Sequence, residues 1–396
     1  MNRSPPVDVV FTHSEVNNRY GTGILIQRMF PRHLEEVISV RATSIWGGQQ
    51  EFGARQLVMP PGLDRAGIRT WTLAQVGEVA VRHLYCVPFG GEEITAALAA
   101  HDAHSAPLCL YVMDDQNVTV DGIPDDVMEE AVEKARLRLA ISSDMRGAYE
   151  AKYNRRFWIA PPTTSGEASP APRADGHADR AILIGNISTQ AWLDALLAAA
   201  SDSELQIDWY SNSPGGGFWL RRDSLDALAA AGIMLCDPLP ERELAARLGE
   251  YEVAVLLTKP QGRDDNIATA SLSLPSRLTF LAGASDLAVV VLGDPDTCVA
   301  RFVRHFGLGV NCEYSGPALD AAVASTRDET WRGRQARSLA WLRGVLGGVD
   351  IAAWIRDALE RGAPGDLAFE ALEVEPRRLA PIRAREGEAS ARSWLG

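Results

Sequence analysis

The chain has 396 residues, 46% hydrophobic and 23% charged, a globular balance with enough length for two ordinary cores. A net charge of -13 excludes a broadly basic, non-specific nucleic-acid-binding surface. No run of about 18 apolar residues occurs, and Met1-Asn-Arg-Ser-Pro-Pro-Val-Asp carries no apolar stretch of leader length.

Short apolar, β-branched runs alternate with helical periodicity from the start. The pattern predicts strands over 7–12, 37–41, 84–87, 108–112, 137–141 and 157–160. Helices are expected over 23–31, 92–100, 125–135 and 143–152. This is the βαβ rhythm of a doubly wound parallel sheet. The rhythm breaks from Pro161 through Asp179, a Pro-, Ser-, Thr-, Gly- and Ala-rich stretch without periodicity that reads as a linker. A second series follows, with strands over 181–185, 206–211, 232–236, 253–257, 287–292 and 308–311. Its helices are expected over 190–200, 224–231, 241–249, 275–282, 297–305, 318–325, 330–346 and 350–361. The reading is therefore α/β: a Rossmann-like domain over 1–160, a linker over 161–180, a second Rossmann-like domain over 181–361 and a charged tail over 362–396. Two such domains are expected to face each other across a cleft, since open α/β sheets bind ligands at the carboxyl ends of their strands.

The five cysteines (Cys86, Cys109, Cys236, Cys298, Cys312) form no Cys-x-x-Cys pair. They predict reduced thiols, a cytoplasmic protein and no zinc. No His-Glu-x-x-His, no Gly-x-Ser-x-Gly and no Gly-x-x-x-x-Gly-Lys-Ser/Thr occurs. These absences argue against a zinc protease, a common serine hydrolase and a P-loop nucleotidase.

The most informative stretch is Leu274-Pro-Ser-Arg-Leu278, before a helical run and the apolar Leu287–Leu292. Proline favours the first position of a helix, so Pro275 is expected there, with Leu274 at a capping position it cannot fill. The N–H groups of Ser276 and Arg277 then stand open at the positive end of a helix dipole, which suits a phosphate or diphosphate. Other strand ends carry candidate ligand groups. His13 follows the first strand, and Gly21 and Gly23 allow a close backbone approach. Asp114 and Asp115 end the Leu108–Val112 strand, where acids can orient sugar hydroxyls or form a capped turn. Gly185 and Asn186 end the first strand of the second domain, with Ser188 or Thr189 as a helix cap. Leu239 precedes a helix, where its backbone suits a nucleobase edge. Lys259 and Arg263 lie in a charged loop and suit phosphates, and Asp264 or Asp265 a sugar.

The order of these segments resembles the GT-B fold glycosyltransferases that use nucleotide-sugar donors, especially the retaining, glycogen-phosphorylase-like group. The resemblance rests on the glycine-containing first loop, Gly185-Asn-Ile, Leu239-Pro-Glu-Arg-Glu-Leu244 and Leu274-Pro-Ser-Arg-Leu278, and spans roughly 7–361. Ser142-Ser-Asp-Met-Arg-Gly-Ala-Tyr-Glu-Ala-Lys-Tyr153, then Ile159-Ala-Pro-Pro, looks like the end of their acceptor domain. The resemblance implies a UDP- or GDP-sugar donor on the second domain and no cofactor or metal. Ser276 and Arg277 would lie on the diphosphate, Gly23 near it, and the Leu239 backbone on the base. It further implies a glycan or lipid-linked acceptor on the first domain, as in bacterial envelope polysaccharide assembly, with contact at the inner membrane left open. His13, Asp114 and Asp115 are the candidates for the catalytic base by position. One departure stands out. Many such enzymes carry a glutamate shortly after Pro-Ser-Lys that binds the ribose, where this chain has Thr279 and Phe280, and Arg277 replaces the lysine. The competing reading is a non-catalytic GT-B-like partner subunit.

Overall fold

The computed structural model describes residues 5–18, 21–45, 47–164, 179–187, 189–212, 222–260 and 271–375. Contacts divide the chain into two compact units. The first holds the described residues of Met1–Asn18, Thr22–Ala160 and Ile351–Gly396, and the second those of Arg19–Gly21 and Pro161–Asp350.

The first unit runs β1 (Val7–Thr12), α1 (Gly21–Met29), α2 (His33–Glu36), β2 (Val37–Arg41), β3 (Arg55–Val58), α3 (Arg65–Val76), β4 (Val81–Val87), α4 (Gly91–His104), β5 (Leu108–Val112), α5 (Asp125–Lys134), β6 (Leu137–Ala140), α6 (Ser143–Tyr153) and β7 (Trp158–Ile159). Its seven strands are all parallel, in the order β3-β2-β1-β4-β5-β6-β7. Central strands are buried on both faces: Val9, Val10, Phe11, Leu110 and Val112 have no exposed surface. That double burial is what makes them continuous apolar runs in the sequence.

Two elements have no such signal. Arg55–Val58 is an edge strand with Arg55, Gln56 and Val58 exposed, and α3 buries only Ile68, Thr72 and Val76. Neither was expected from the apolar pattern. The reason is the same in both: an edge strand and a helix with a polar residue in its buried stripe lack the periodicity that marks a core.

The second unit runs β8 (Arg180–Ile184), α7 (Gln190–Ser201), β9 (Gln206–Tyr210), α8 (Arg222–Ala230), β10 (Ile233–Cys236), α9 (Glu241–Arg247), β11 (Val253–Leu257), α10 (Ser276–Ala284), β12 (Ala288–Leu292), α11 (Cys298–His305), β13 (Gly309–Cys312), α12 (Gly316–Ser325) and α13 (Glu329–Gly347). Its six strands are also parallel, ordered β10-β9-β8-β11-β12-β13. Trp209, Leu193, Val253, Val290 and Leu319 form the heart of its core. Thr189 caps α7 by accepting a hydrogen bond from Trp192 N at 3.2 Å.

The last helix, α14 (Ile351–Arg361), groups with the first unit, whereas the helical pattern alone assigned it to the second. Its buried stripe of Ile351, Trp354, Ile355, Ala358 and Leu359 says that it packs, but not against what. Arg136 at the β6 entrance settles the partner by donating to Leu359 O at 2.9 Å and to Glu360 O. The chain then continues along the first unit. Phe369 is fully buried with its ring 5.0 Å from Trp354, and Glu370 and Glu373 pair with the buried Arg146 of α6. Glu370 also accepts from Ile159 N at 3.0 Å, and Val374 N donates to Ser143 Oγ at 3.2 Å. Part of the segment expected to be a surface tail is therefore core. No single helix among the described residues is long and apolar enough to cross a membrane.

Phe369→Ala should cost about 3–5 kcal/mol, the loss for truncating a buried aromatic. Equilibrium urea unfolding checks it. A loss below about 1 kcal/mol would mean that the first unit is complete without this segment.

Candidate functional site

Each unit has one place where its strand order reverses. In the first unit this lies between β1 and β4: the strands that follow β1 in the chain go to one side, and those from β4 onward to the other. The loops leaving β1 and β4 diverge there and leave a crevice at the strand carboxyl ends. His13 is the first residue after β1, and Phe89 and Gly90 follow β4.

His13 Nδ1 lies 3.2 Å from Glu93 Oε2. Glu93 is 1% exposed and sits in the first turn of α4. Its other oxygen accepts from Phe89 N and Gly90 N, both at 2.5 Å, closing a capping box. Glu93 is thus a buried carboxylate held by backbone donors and turned toward the imidazole. If Nδ1 carries the proton, Nε2 is left as the ring's acceptor, the arrangement of an acid-oriented general base. Burial pushes the His13 pKa down, but the hydrogen bond and charge of Glu93, aided by Glu92, outweigh it and raise the pKa above 6.5. A Cβ at Gly90 would stand 2.9 Å from His13 Nδ1 and 2.7 Å from Glu92 Oε2, so a side chain there would push on the imidazole. His13, Glu92 and Glu93 also present ligand atoms within 4.8 Å of one another, close enough to share a cation.

The acids after β5 divide. Asp114 is half-buried at the strand end. Asp115 is fully buried and saturated. Its Oδ1 accepts from Asn117 N (3.0 Å), Val118 N (2.8 Å) and Tyr149 OH (3.1 Å), and its Oδ2 from Thr119 N (2.7 Å) and Thr119 Oγ1 (2.5 Å). These bonds make Asp115 the organiser of its loop and leave it no lone pair for a substrate. Gly21 opens α1, and Gly23 is buried in its first turn, where a Cβ would lie 2.2 Å from Asn17 O. Gly23 therefore lets the first loop close on the helix.

In the second unit the order reverses between β8 and β11. Helix α10 begins at Ser276, with Pro275 as its N-cap and no side-chain cap. The proline thus stands one position earlier than expected, and Ser276 and Arg277 are the first two helical residues. Arg277 reaches across to the end of β8, where Nη1 donates to Ile184 O (3.2 Å) and Asn186 O (3.1 Å). Gly185 between them has φ +89° and no Cβ; a Cβ would lie 3.3 Å from Nη1. Trp209 Nε1 fixes the same turn by donating to Gly185 O at 2.7 Å. Among the described residues no carboxylate pairs with Arg277, and its Nε and Nη2 have no hydrogen-bond partner. Burial pulls its pKa down, opposed only by the nearby Tyr314 phenol. A guanidinium stays charged regardless, so among the described residues the site carries a positive charge at a helix N-terminus with no carboxylate paired to it.

The other donor-side residues are placed less tellingly. Asn186 Oδ1 accepts from Asn212 N at 3.2 Å. Lys259 is 9% exposed and already paired with Asp294 at 3.3 Å. Leu239 lies half-buried just before α9. Arg263, Asp264, Asp265 and Ser188 lie outside the described residues. Sequence reasoning missed Glu93. The signal was present, in Gly90-Gly-Glu-Glu93 directly after a strand, a helix start with an acid at its third position.

Because folding raises the His13 pKa, its pairing with Glu93 adds stability that is complete below pH 6.5 and is lost as pH rises through the raised value. Glu93→Gln should lower that midpoint. A histidine NMR titration reads it directly, and an unmoved midpoint would show that the two groups are uncoupled.

No protein-family model and no curated relative matches the chain. Solved structures do. Alr3699/HepE of Anabaena in complex with UDP has a TM-score of 0.62 at 11% identity, covering 90% of this chain and 100% of its own. OtsA, solved as an apo structure, gives 0.59 at 9% identity, covering 90% and 99%. An alpha-glucosyltransferase in complex with UDP and a 13-mer DNA containing a HMU base gives 0.55 at 11% identity, covering 90% and 99%. With its two parallel α/β sheets, the chain has the two-domain GT-B glycosyltransferase fold.

Proposed function

We propose that the protein is a glycosyltransferase that takes its sugar from a UDP- or GDP-sugar and passes it to a hydroxyl of a glycan or lipid-linked acceptor, as in bacterial envelope polysaccharide assembly. The observation that carries this is Arg277, a carbonyl-braced guanidinium without a carboxylate partner among the described residues, in the first turn of α10. A diphosphate supplies the missing negative charge and accepts from the free arm of the guanidinium and the open N–H groups of Ser276 and Arg277. Solved GT-B neighbours that hold UDP and UDP-glucose support the same ligand class.

In the reaction the bond from the anomeric carbon to the diphosphate oxygen breaks, with the electron pair leaving on the diphosphate. The acceptor oxygen bonds to that carbon and loses its proton. Arg277 and the α10 dipole stabilise the charge that develops on the leaving group, the task a divalent cation performs elsewhere, so we propose a metal-independent transfer. The resemblance to phosphorylase-like enzymes supports retention, in which the departing phosphate oxygen takes the proton. The His13–Glu93 pair favours a second reading, a single displacement with His13 as base, which inverts the anomeric carbon. A partner role without catalysis is favoured by Thr279, which is 2% exposed with Oγ1 donating to Ser276 O, where similar enzymes carry a ribose-binding glutamate.

Calorimetry should show binding of UDP or GDP, weakened roughly 10- to 150-fold by Arg277→Ala, the loss of charge-assisted hydrogen bonds. Intact folded protein that binds neither nucleotide would overturn the transferase reading and leave the partner role. NMR of the product anomer separates the two chemistries. A retained anomer with His13→Ala still active supports front-face transfer. An inverted anomer, with activity lost in His13→Ala and rising with pH through a midpoint above 6.5 in the wild type, makes His13 the base.

A further inference from the structure

Phe89 is left 45% exposed at the carboxyl end of β4. Single exposed apolar residues are ordinary; this one is set apart by what holds it. Its N–H donates to Glu93 Oε1 at 2.5 Å, and the other oxygen of that carboxylate holds His13 at 3.2 Å. The two rings lie 5.4 Å apart, tilted by 44°. Pro88 stiffens the turn before it, and Gly90 after it leaves room for the imidazole and for Glu92. The turn after β4 and the residue after β1 thus bring an apolar ring face, an imidazole and the exposed Glu92 carboxylate together, the first two held by the same buried carboxylate.

We infer that this turn is the acceptor subsite and that it takes a pyranose: one C–H face of the sugar lies on Phe89, a ring hydroxyl points to His13, and a neighbouring hydroxyl donates to Glu92. The inference rests on the glycosyltransferase reading and adds the acceptor class and a specificity-determining residue to it. Charge and solvation select the class. A wholly apolar ligand would strip water from Glu92 without replacing its hydrogen bonds. An anion would meet the charges of Glu92 and Glu93 at short range. A polyhydroxylated ring with an apolar face satisfies the aromatic surface and both polar groups together.

Saturation-transfer NMR on the full-length protein tests this, with methyl β-D-glucopyranoside as the probe, glycerol as an open-chain control and UDP and GDP calorimetry in parallel. The glucoside ring protons should take up saturation and glycerol should not. Phe89→Ala should weaken the glucoside roughly two- to tenfold with an unchanged melting temperature, and Phe89→Trp should restore it. A glucoside silent on the wild type, or a signal indifferent to Phe89→Ala, overturns the inference. Absence of both UDP and GDP binding overturns the donor reading instead, and a Phe89-dependent glucoside signal in that case would mark a sugar-binding turn on a non-catalytic protein.

Discussion

A parallel sheet with helices on both faces can meet a small ligand only along its strand ends, and this constraint arranges everything else in the molecule. Both units bury their central strands on each side, so the polar chemistry has been pushed to the residues just after them. His13, Phe89, Asp114, Gly185 and Lys259 each stand within two residues of a strand's carboxyl end. His13 and Arg277 stand where the strand order reverses in their own unit. Placement follows from topology, and the residue type then decides what can be done there.

Glu93 and Asp115 show how the same functional group acquires opposite roles. Both are buried carboxylates near strand ends of the first unit, and both are anchored by backbone N–H groups. Asp115 has both oxygens consumed by its own loop and by Tyr149, so it is a structural element. Glu93 spends one oxygen on capping α4 and keeps the other for His13. Backbone donors fix one Glu93 oxygen in the first turn of α4, which lets the other orient the imidazole from a rigid, buried position.

The strand pattern was legible in the sequence because double burial writes itself as unbroken apolar runs: β1, β2, β5 and β11 lie where the pattern put them, residue for residue. Illegible elements are those whose burial is partial, the β3 edge and α3. The partner of α14 was also hidden, since an amphipathic stripe records that a helix is covered and not by which surface; Arg136 and Phe369 supply that information only in three dimensions. The site divides in the same way. The uncapped helix start at Ser276 and Arg277 was readable from proline, helix and strand in succession. The His13–Glu93 pair was not, because 80 residues separate its members and only the adjacency of β1 and β4 joins them.

Arginine at position 277 keeps more of its hydrogen-bonding capacity free after bracing than lysine would. A lysine ammonium that bonded both carbonyls at the end of β8 would have its single charge centre drawn into them. The guanidinium is a planar fork: Nη1 can hold Ile184 O and Asn186 O while Nε and Nη2 remain on the other edge. Carbonyl dipoles fix the group but carry no net charge, so the full positive charge persists after the bracing is complete. The brace also spans Gly185, whose positive φ turns the chain away from the strand and whose missing side chain leaves the guanidinium its place. The cation is therefore oriented before any ligand arrives, and an anion that binds it meets a group whose conformational entropy has already been lost in folding.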